Sequence, residues 1–258
     1  MERLILLGTC CGAEPIENMH HQSFVLEVDG EYYFFDAGEN CSRTACSMGI
    51  DLLKVRSIFI THTHMDHVGG LANLLWNIRK FWLRTGIKPL DDNIDLYIPN
   101  KQSIDAIFEI LKNAEDGFAT DYSINVNITE SGIIYKDKNI SVTAVSNHHI
   151  EVGENEKPVS YSYIVDTKTK RVVITGDVRD FNDVEPLVEK KCDYLFMETG
   201  HHKVADVLEF AKNHSVGKLI FVHNGREIIN NRQACQKLVD ESGVNAIISS
   251  DREIVQLD

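Results

Sequence analysis

The stretch that most constrains this chain is residues 58–70, which reads Ile-Phe-Ile-Thr-His-Thr-His-Met-Asp-His-Val-Gly-Gly. Its first three residues are typical of the end of a buried strand. Residues two apart in an extended segment point the same way, so His62 and His64 can bind one ion together. Asp66 and His67 follow at the turn into the next helix, where they can face a second ion. Imidazole and carboxylate ligands suit zinc and similar divalent metals, so this stretch predicts a metal site.

The length and composition are those of a water-soluble globular protein. The chain has 258 residues, of which 43% are apolar and 25% charged. This size fits one large α/β domain or two small ones, and no linker or repeat divides the sequence, so we expect a single hydrolase domain over residues 1–258. No apolar run approaches the ~20 residues of a membrane helix, and residues 4–7 are too short for a signal-peptide core. We therefore expect a cytoplasmic protein with no membrane partner.

The net charge limits the class of binding partner, and the cysteines indicate the redox state of the thiols. The formal net charge is −13, whereas a protein that binds long nucleic acid needs a basic surface to neutralise phosphates. Solubility alone explains an acidic total, but the charge also argues against broad polyanion binding. None of the six cysteines forms a C-x-x-C pair, which predicts reduced thiols rather than a disulfide framework.

The rest of the chain alternates short apolar strands with amphipathic helices. Asp29-Gly30 predicts a tight hairpin turn, and residues 167–170 predict a second hairpin. Apolar residues recur at helical spacing over residues 71–82, 104–111 and 204–211, and a last helix is expected around residues 234–238.

Several of the predicted strands end in a metal ligand or a carboxylate. The side chains in these positions are Asp36, His62, Asp177, Glu198 and His223. Sites in open α/β sheets form beyond the carboxyl ends of the strands. If the strands share a sheet, we expect these side chains to converge on one edge.

A binuclear site needs a carboxylate that bridges both ions. Asp177 is the natural bridge, because Gly176 before it lets the backbone approach closely. His62, His64 and a later histidine would then bind the first ion, and Asp66, His67 and His223 the second. Asp36 is either a turn residue or a carboxylate that orients a ligand imidazole. His148 and His149 both qualify as the later histidine, and only one should be a ligand, because their side chains point to opposite sides at a strand end.

The His62-x-His64-x-Asp66-His67 pattern resembles the HxHxDH signature of the metallo-β-lactamase superfamily, and the landmarks around it resemble the ribonuclease Z-like branch. Leu7-Gly8-Thr9 and Asp36-Ala37-Gly38 resemble two further segments of that branch. The resemblance covers nearly the whole chain. It implies an α/β (α+β) fold class, the four-layered αββα metallo-β-lactamase sandwich.

The resemblance also implies roles for individual residues. Asn147-His148-His149-Ile150 fits the third motif with His148 as the ligand, Asp177 matches the bridging position and His223 the last ligand. Glu198-Thr199 resembles a segment of the branch, and His201, 22 positions before His223, resembles its catalytic histidine. The implied catalytic residues are Asp66, Glu198 and His201. Arg226 resembles the arginine that the branch carries three positions beyond the last ligand and, with His202 at the rim, is expected to bind substrate.

The departures from the branch favour a small substrate. Bacterial ribonuclease Z enzymes carry an arm for transfer RNA between the third motif and the bridging aspartate. Here that gap is 29 positions, from His148 to Asp177, filled by one loop and one hairpin. His201-His202-Lys203 also stands where the branch has His-Ser-Thr. Small members of the branch hydrolyse cyclic nucleotides or other small phosphodiesters.

We therefore predict a metal-dependent hydrolase, a phosphodiesterase with two divalent ions, zinc first and manganese or iron as alternatives. Its expected partner is a small-molecule substrate rather than long nucleic acid. The alternatives are a lactone or thioester hydrolase like glyoxalase II, ribonuclease Z-like RNA processing, and a non-catalytic metal or nucleotide sensor. A homodimer is also open: Trp76, Phe81 and Trp82 either form a subunit contact or pack in the core.

Overall fold

The computed structural model describes residues 1–12 and 15–257, which form two compact units. The first unit comprises Met1–Gly8, Pro15–Thr129 and residues 251–257, and the second comprises residues 9–12 and Glu130–Ser250. Each unit contains one seven-stranded mixed sheet.

The elements are numbered along the chain. The strands are β1 (Glu2–Gly8), β2 (Ser23–Val28), β3 (Glu31–Phe35), β4 (Val55–Phe59), β5 (Asn93–Ile98), β6 (Ser123–Ile128), β7 (Gly132–Lys136), β8 (Ser141–Ser146), β9 (Tyr161–Asp166), β10 (Arg171–Ile174), β11 (Cys192–Glu198), β12 (Val216–Val222), β13 (Ala246–Ile248) and β14 (Ile254–Gln256). The helices are α1 (Cys41–Ser47), α2 (Met65–Val68), α3 (Leu71–Thr85), α4 (Lys101–Ala114), α5 (Glu185–Val188), α6 (Val204–Lys212) and α7 (Arg226–Ser242). Single 3₁₀ turns lie at Leu52–Lys54, Leu90–Asp92, Asp116–Phe118 and Phe181–Asp183.

The sheet of the first unit has the order β14-β1-β2-β3-β4-β5-β6. Strands β3 to β6 run parallel, and β14, β1, β2 and β3 pair antiparallel. Helix α3 packs its apolar stripe into the core of this unit, with Leu71, Leu74, Leu75 and Ile78 fully buried. The helix ends at Gly86, whose left-handed φ of 71° closes the last turn.

The sheet of the second unit has the order β13-β12-β11-β10-β9-β8-β7. Strands β10 to β13 run parallel, whereas β7 to β10 pair antiparallel. The β9–β10 hairpin turns through residues 167–170, and the Thr167 N–H donates to the Lys170 carbonyl at 2.9 Å. Helices α5, α6 and α7 contribute buried side chains to the core of this unit.

Parallel pairing brings the carboxyl ends of the functional strands together within each unit. In the first unit β3 and β4 are parallel neighbours, so Asp36 and His62 follow the same edge of the sheet. In the second unit β10, β11 and β12 are parallel neighbours, so Asp177, Glu198 and His223 follow one edge. These strands belong to two sheets, so the side chains follow one edge in each of them rather than the single edge of one shared sheet that the sequence analysis expected.

The structure also bears on the expectations about membrane helices, disulfides and the aromatic residues of α3. Among residues 1–12 and 15–257, no helix has the length and apolar character needed to cross a bilayer. No disulfide joins any of the six cysteines. Trp82 lies edge-on to Tyr122 with ring centroids 5.7 Å apart, and Trp76 and Phe81 also pack on the core of the first unit. This packing explains these aromatic side chains without a subunit contact.

Candidate metal centre

The first unit carries a cluster of three imidazoles and a carboxylate, here called the first ligand set: His62, His64, Asp66 and His67. The loop after β4 positions His62, and α2 begins directly after His64. The ring centroid of His62 lies 4.5 Å from that of His64 and 4.1 Å from that of His67. Asp66 Oδ2 lies 3.7 Å from His67 Nε2. The ligand-type side chains predicted from the signature are therefore close neighbours.

Asp36 fixes the orientation of one member of this set. Its Oδ2 accepts a hydrogen bond from His67 Nδ1 at 2.8 Å, and its Oδ1 accepts the Thr61 N–H at 2.8 Å. An Nδ1–H that donates to a carboxylate leaves the lone pair on Nε2, the nitrogen that can bind a metal. Asp36 adopts a left-handed φ of 59°, a conformation that aspartate tolerates better than most residues. The structure thus supports the orienting role rather than a simple turn residue.

The second unit carries a cluster centred on Asp177, here called the second ligand set: Asp177, His149, His201 and His223. The carboxylate of Asp177 is buried, with 3% of its side chain exposed. Its Oδ1 lies 3.2 Å from His223 Nδ1, and its Oδ2 lies 3.6 Å from His149 Nε2 and 3.9 Å from His201 Nδ1. Asp177, His201 and His223 each offer a ligand atom within 4.8 Å of the others.

The structure points to His149 where the sequence interpretation chose His148. The His149 ring faces Asp177, whereas His148 Nδ1 donates to Asp183 Oδ1 at 2.6 Å and its side chain is 68% exposed. The imidazole that faces Asp177 is that of His149, so His149 rather than His148 joins the set. The motif pattern could not tell which residue faces inward, because that depends on the turn after β8.

His201 is held by a buried carboxylate. Its Nδ1 lies 3.0 Å from Glu198 Oε1, and its backbone N–H donates to Glu198 Oε2 at 3.0 Å. Burial raises the pKa of Glu198, but hydrogen bonds from His201 and His223 outweigh it and hold that pKa well below its usual range. The hydrogen bond that His201 donates to the Glu198 carboxylate raises the pKa of His201, and burial opposes this with a smaller effect. His201 remains 47% exposed, so its ring reaches solvent while its other side is fixed.

The two predicted substrate-binding residues differ in position. His202 Nε2 lies 3.1 Å from the Val178 carbonyl and 3.5 Å from Glu198 Oε1, and its ring packs against Phe181 at 5.2 Å. That polar nitrogen points into the protein beside Glu198 rather than to a rim. Arg226 is the first residue of α7 and is exposed.

The backbone around the second ligand set is tightly constrained. His223 has a left-handed φ of 49° and Gly176 one of 58°, so the residues that bring His223 and Asp177 into the cluster adopt unusual conformations. A Cβ on Gly200 would lie 2.6 Å from His223 Nδ1. Gly200 therefore leaves the space that the His223 ring occupies.

Both sets have the donor chemistry of a divalent metal site. They supply imidazole nitrogens and carboxylates, which suit zinc, manganese and iron. The orienting carboxylates are also present, Asp36 on His67 and Glu198 on His201. Sequence reasoning did not single out Thr61 or Asp183, which contact Asp36 and His148 respectively. Both are ordinary polar residues whose partners are far away in the sequence, so no local pattern marks them.

Comparisons with known proteins agree with this geometry. A family model described as Anti-Pycsar protein Apyc1 matches residues 2–219. The chain is 30% identical over 149 residues to a protein named Ribonuclease Z from Methanothermobacter thermautotrophicus, an alignment that covers 58% of the chain and only 45% of that relative. It is 29% identical over 276 residues to a Ribonuclease Z from Methanococcus maripaludis strain C6, with 86% of the chain and 87% of the relative covered.

The fold is also found among solved structures. The human tRNase Z short form (ELAC1) superimposes with a TM-score of 0.69 at 18% identity, over 99% of each chain. This similarity confirms the predicted α/β metallo-β-lactamase sandwich as the fold class. The chain therefore belongs to the family described as Anti-Pycsar protein Apyc1 and, with its Ribonuclease Z relatives, to the metallo-β-lactamase superfamily.

Proposed function

We propose that this metal-dependent hydrolase is a phosphodiesterase that cleaves small phosphodiesters such as cyclic nucleotides. The observation that carries the proposal is the Glu198–His201 pair beside Asp177. A buried carboxylate fixes one nitrogen of an exposed imidazole, 3.0 Å away, and that imidazole belongs to a cluster with two proposed metal ligands. Such a residue suits proton transfer to a leaving oxygen.

We infer that the two ligand sets together bind two divalent ions, zinc foremost. The first ion would take His62, His64 and His149, the second would take Asp66, His67 and His223, and Asp177 would bridge them. Ions bound there would lower the pKa of a water molecule and stabilise the negative charge of the phosphoryl group.

The residues of the chain supply the remaining chemistry. His201 donates the proton on its Nε2 to the leaving alkoxide. Its Nδ1–H donates a hydrogen bond to Glu198, so Nε2 is the nitrogen that faces the substrate. Asp66 accepts a hydrogen bond from the attacking water and orients it. Arg226, at the start of α7, binds a phosphate oxygen, for which a guanidinium is well suited.

RNA processing is the second candidate, because the curated relatives bear the name Ribonuclease Z. Two features of this chain favour a small substrate instead. The segment between His149 and Asp177 consists of a loop and the β9–β10 hairpin, with no inserted arm to bind an RNA. The net charge of −13 also opposes a long polyanion.

Lactone or thioester hydrolysis uses the same signature. The proton donor distinguishes a phosphodiester from a thioester, because a phosphodiester must release an alkoxide, a strongly basic leaving group, whereas a thiolate leaves readily without a proton. The Glu198–His201 pair therefore favours the phosphodiester over the thioester; a lactone also releases an alkoxide, and turnover separates it from the phosphodiester. A sensor would bind the same ligands without turnover.

Turnover by the metal-loaded protein on a substrate panel tests the proposal. The panel contains bis(4-nitrophenyl) phosphate, 3′,5′- and 2′,3′-cyclic nucleotides, a precursor transfer RNA, an acyl lactone and a glutathione thioester. We expect cleavage of the phosphodiesters and not of the RNA. Cleavage of the lactone or thioester alone would contradict the role of His201, and mature transfer RNA as the product would favour the second candidate. Tight nucleotide binding without turnover would indicate a sensor.

A further inference from the structure

A cavity of about 340 Å³ lies in the second unit. Its lining residues come from the end of β8 and the stretch after it, His148 but not His149 among them, together with Arg179. Asn147, one of its lining residues, donates from Nδ2 to the carbonyl of Asp177 at 3.0 Å. The volume falls in the usual range for a small-molecule site. None of the roles assigned above uses this cavity.

The wall of this cavity carries a histidine held in one orientation. His148 Nδ1 lies 2.6 Å from Oδ1 of Asp183, whose side chain is 3% exposed. The other oxygen of Asp183 accepts the backbone N–H groups of His148 at 3.1 Å and Arg179 at 3.0 Å. Both oxygens of this buried carboxylate are therefore engaged, which fixes the carboxylate and the ring bonded to it.

This arrangement determines what the exposed side of His148 can do. A carboxylate only accepts hydrogen bonds, so Nδ1 carries the hydrogen and Nε2 presents the lone pair of the neutral ring. With 68% of its side chain exposed, His148 can offer Nε2 to a molecule in the cavity. Because Asp183 already orders the ring, binding costs little additional side-chain entropy.

The charges around the cavity indicate which part of a substrate lies there. Glu151, Glu154 and Glu156 are exposed carboxylates that line it, and Arg179 lies 3.5 Å from Glu151. Three carboxylates beside one arginine disfavour a phosphate group at this wall. A neutral, donor-bearing group is favoured instead.

We propose that His148 is a substrate-binding residue whose Nε2 accepts a hydrogen bond from the nucleoside part of the substrate, a sugar hydroxyl or a base amino group. This inference rests on the proposed phosphodiesterase function and extends it to substrate selection. It gives the two adjacent histidines separate tasks, His149 toward the metal and His148 toward the nucleoside.

The test compares three substrates: 3′,5′-cyclic AMP, its 2′-deoxy analogue, and the purine analogue that lacks the 6-amino group. We expect the wild-type kcat/KM to fall by roughly 5- to 10-fold for the analogue that lacks the contacted donor, the range of one neutral hydrogen bond. In His148→Ala the preference for cyclic AMP over that analogue should disappear, with metal content unchanged. In His148→Gln part of the preference should return, because the amide oxygen is also an acceptor.

Several outcomes would overturn the proposal. Loss of bound metal from His148→Ala would make His148 a ligand, and retention of both substrate preferences would remove it from recognition. If the wild-type protein cleaves no phosphodiester, including bis(4-nitrophenyl) phosphate, the proposed function fails. Calorimetric binding of the same three nucleotides to the metal-loaded protein then tests His148 on its own, and equal affinities for all three would reject its role.

Discussion

At the residue scale, Asp177 is the position on which the proposed centre most depends. Its buried carboxylate has imidazole nitrogens of His223, His149 and His201 within 3.2 to 3.9 Å. Three imidazoles around one carboxylate in a buried environment are favourable when a cation neutralises the cluster. The arrangement therefore requires the carboxylate at this position.

Asp177→Ala should remove at least one of the two ions and abolish hydrolysis, because the bridging ligand is lost. Metal content by mass spectrometry, together with turnover of bis(4-nitrophenyl) phosphate, measures this. Asp206→Ala, which removes an exposed carboxylate from the first turn of α6, is the control and should retain both. Full metal occupancy in Asp177→Ala would reject the bridging assignment.

His201→Ala should retain the bound metal and slow turnover of 3′,5′-cyclic AMP, which must release an alkoxide, by roughly 10²–10⁴-fold, the usual contribution of a positioned general acid. Glu198→Gln should lower the same rate by a smaller factor, because it weakens the bond at 3.0 Å that orients the ring. His214→Ala, a histidine on the loop after α6, is the matched control. Turnover equal to wild type in His201→Ala would exclude His201 from the reaction.

The choice between His148 and His149 shows what the sequence could not decide. The signature, the strand ends that carry ligand-type residues and the ligand types could be predicted from local patterns, because apolar runs and HxHxDH spacing are local properties. Which of two adjacent histidines faces Asp177 depends on Asp183, 35 positions from His148 along the chain. Only tertiary structure brings this carboxylate to His148.

At the scale of elements, the loop after β11 has to leave room for the ring of His223, a proposed metal ligand. Gly200→Ala should lower the metal content and the turnover, because the new Cβ would lie 2.6 Å from His223 Nδ1 and displace that ring. Gly153→Ala is the control for metal content, because its Cβ would meet nothing closer than 3.5 Å. The prediction concerns bound metal as well as rate, so metal content equal to wild type would contradict it.

Helix α3 carries a buried arginine, Arg79, that contacts the residues after helix α4. Arg79 is 2% exposed, donates from Nε to the Ala119 carbonyl at 2.9 Å and contacts Glu115 at 3.4 Å. Its guanidinium also lies 5.8 Å from the ring centres of Trp76 and Phe118. These contacts connect α3 to the residues after α4.

Arg79→Ala should lower the free energy of unfolding by about 2–4 kcal/mol, because it leaves a cavity where the buried side chain lay and removes the donor to the Ala119 carbonyl. Urea unfolding followed by circular dichroism measures this. Lys80→Ala is the control; Lys80 bonds the same Glu115 from a half-exposed position, and should cost no more than about 1 kcal/mol. Equal effects of the two substitutions would show that burial of Arg79 contributes little.

Element prediction succeeded where the apolar pattern was strong. Helix α3 was correctly placed by the apolar residues that recur at helical spacing over residues 71–82. The last helix was expected around residues 234–238 but runs over Arg226–Ser242. Its buried residues are few, Ile228, Cys235 and Val239, and the backbone departs from helical geometry at Asn231. A polar helix with an internal irregularity gives little periodic signal.

At the scale of the whole molecule, metal binding and stability should be coupled. Ligands that bind only the folded protein stabilise it by RT ln(1 + [L]/Kd), about 2.7 kcal/mol at 100 times Kd. Chelation by EDTA should therefore lower the melting temperature by about 5–10 °C for a chain of this size. Asp177→Ala should show a smaller shift. A melting temperature that EDTA leaves unchanged would contradict metal binding by the native state.

The sequence of the second unit interrupts the sequence of the first, and this affects how the chain folds during synthesis. Strand β14 pairs with β1, yet the whole of Glu130–Ser250 separates it from β6, the preceding strand of its sheet. A ribosome therefore releases all seven strands of the second sheet before it releases the strand that covers β1. Until then β1 presents an unpaired edge, and the first unit completes its sheet only after the second has emerged.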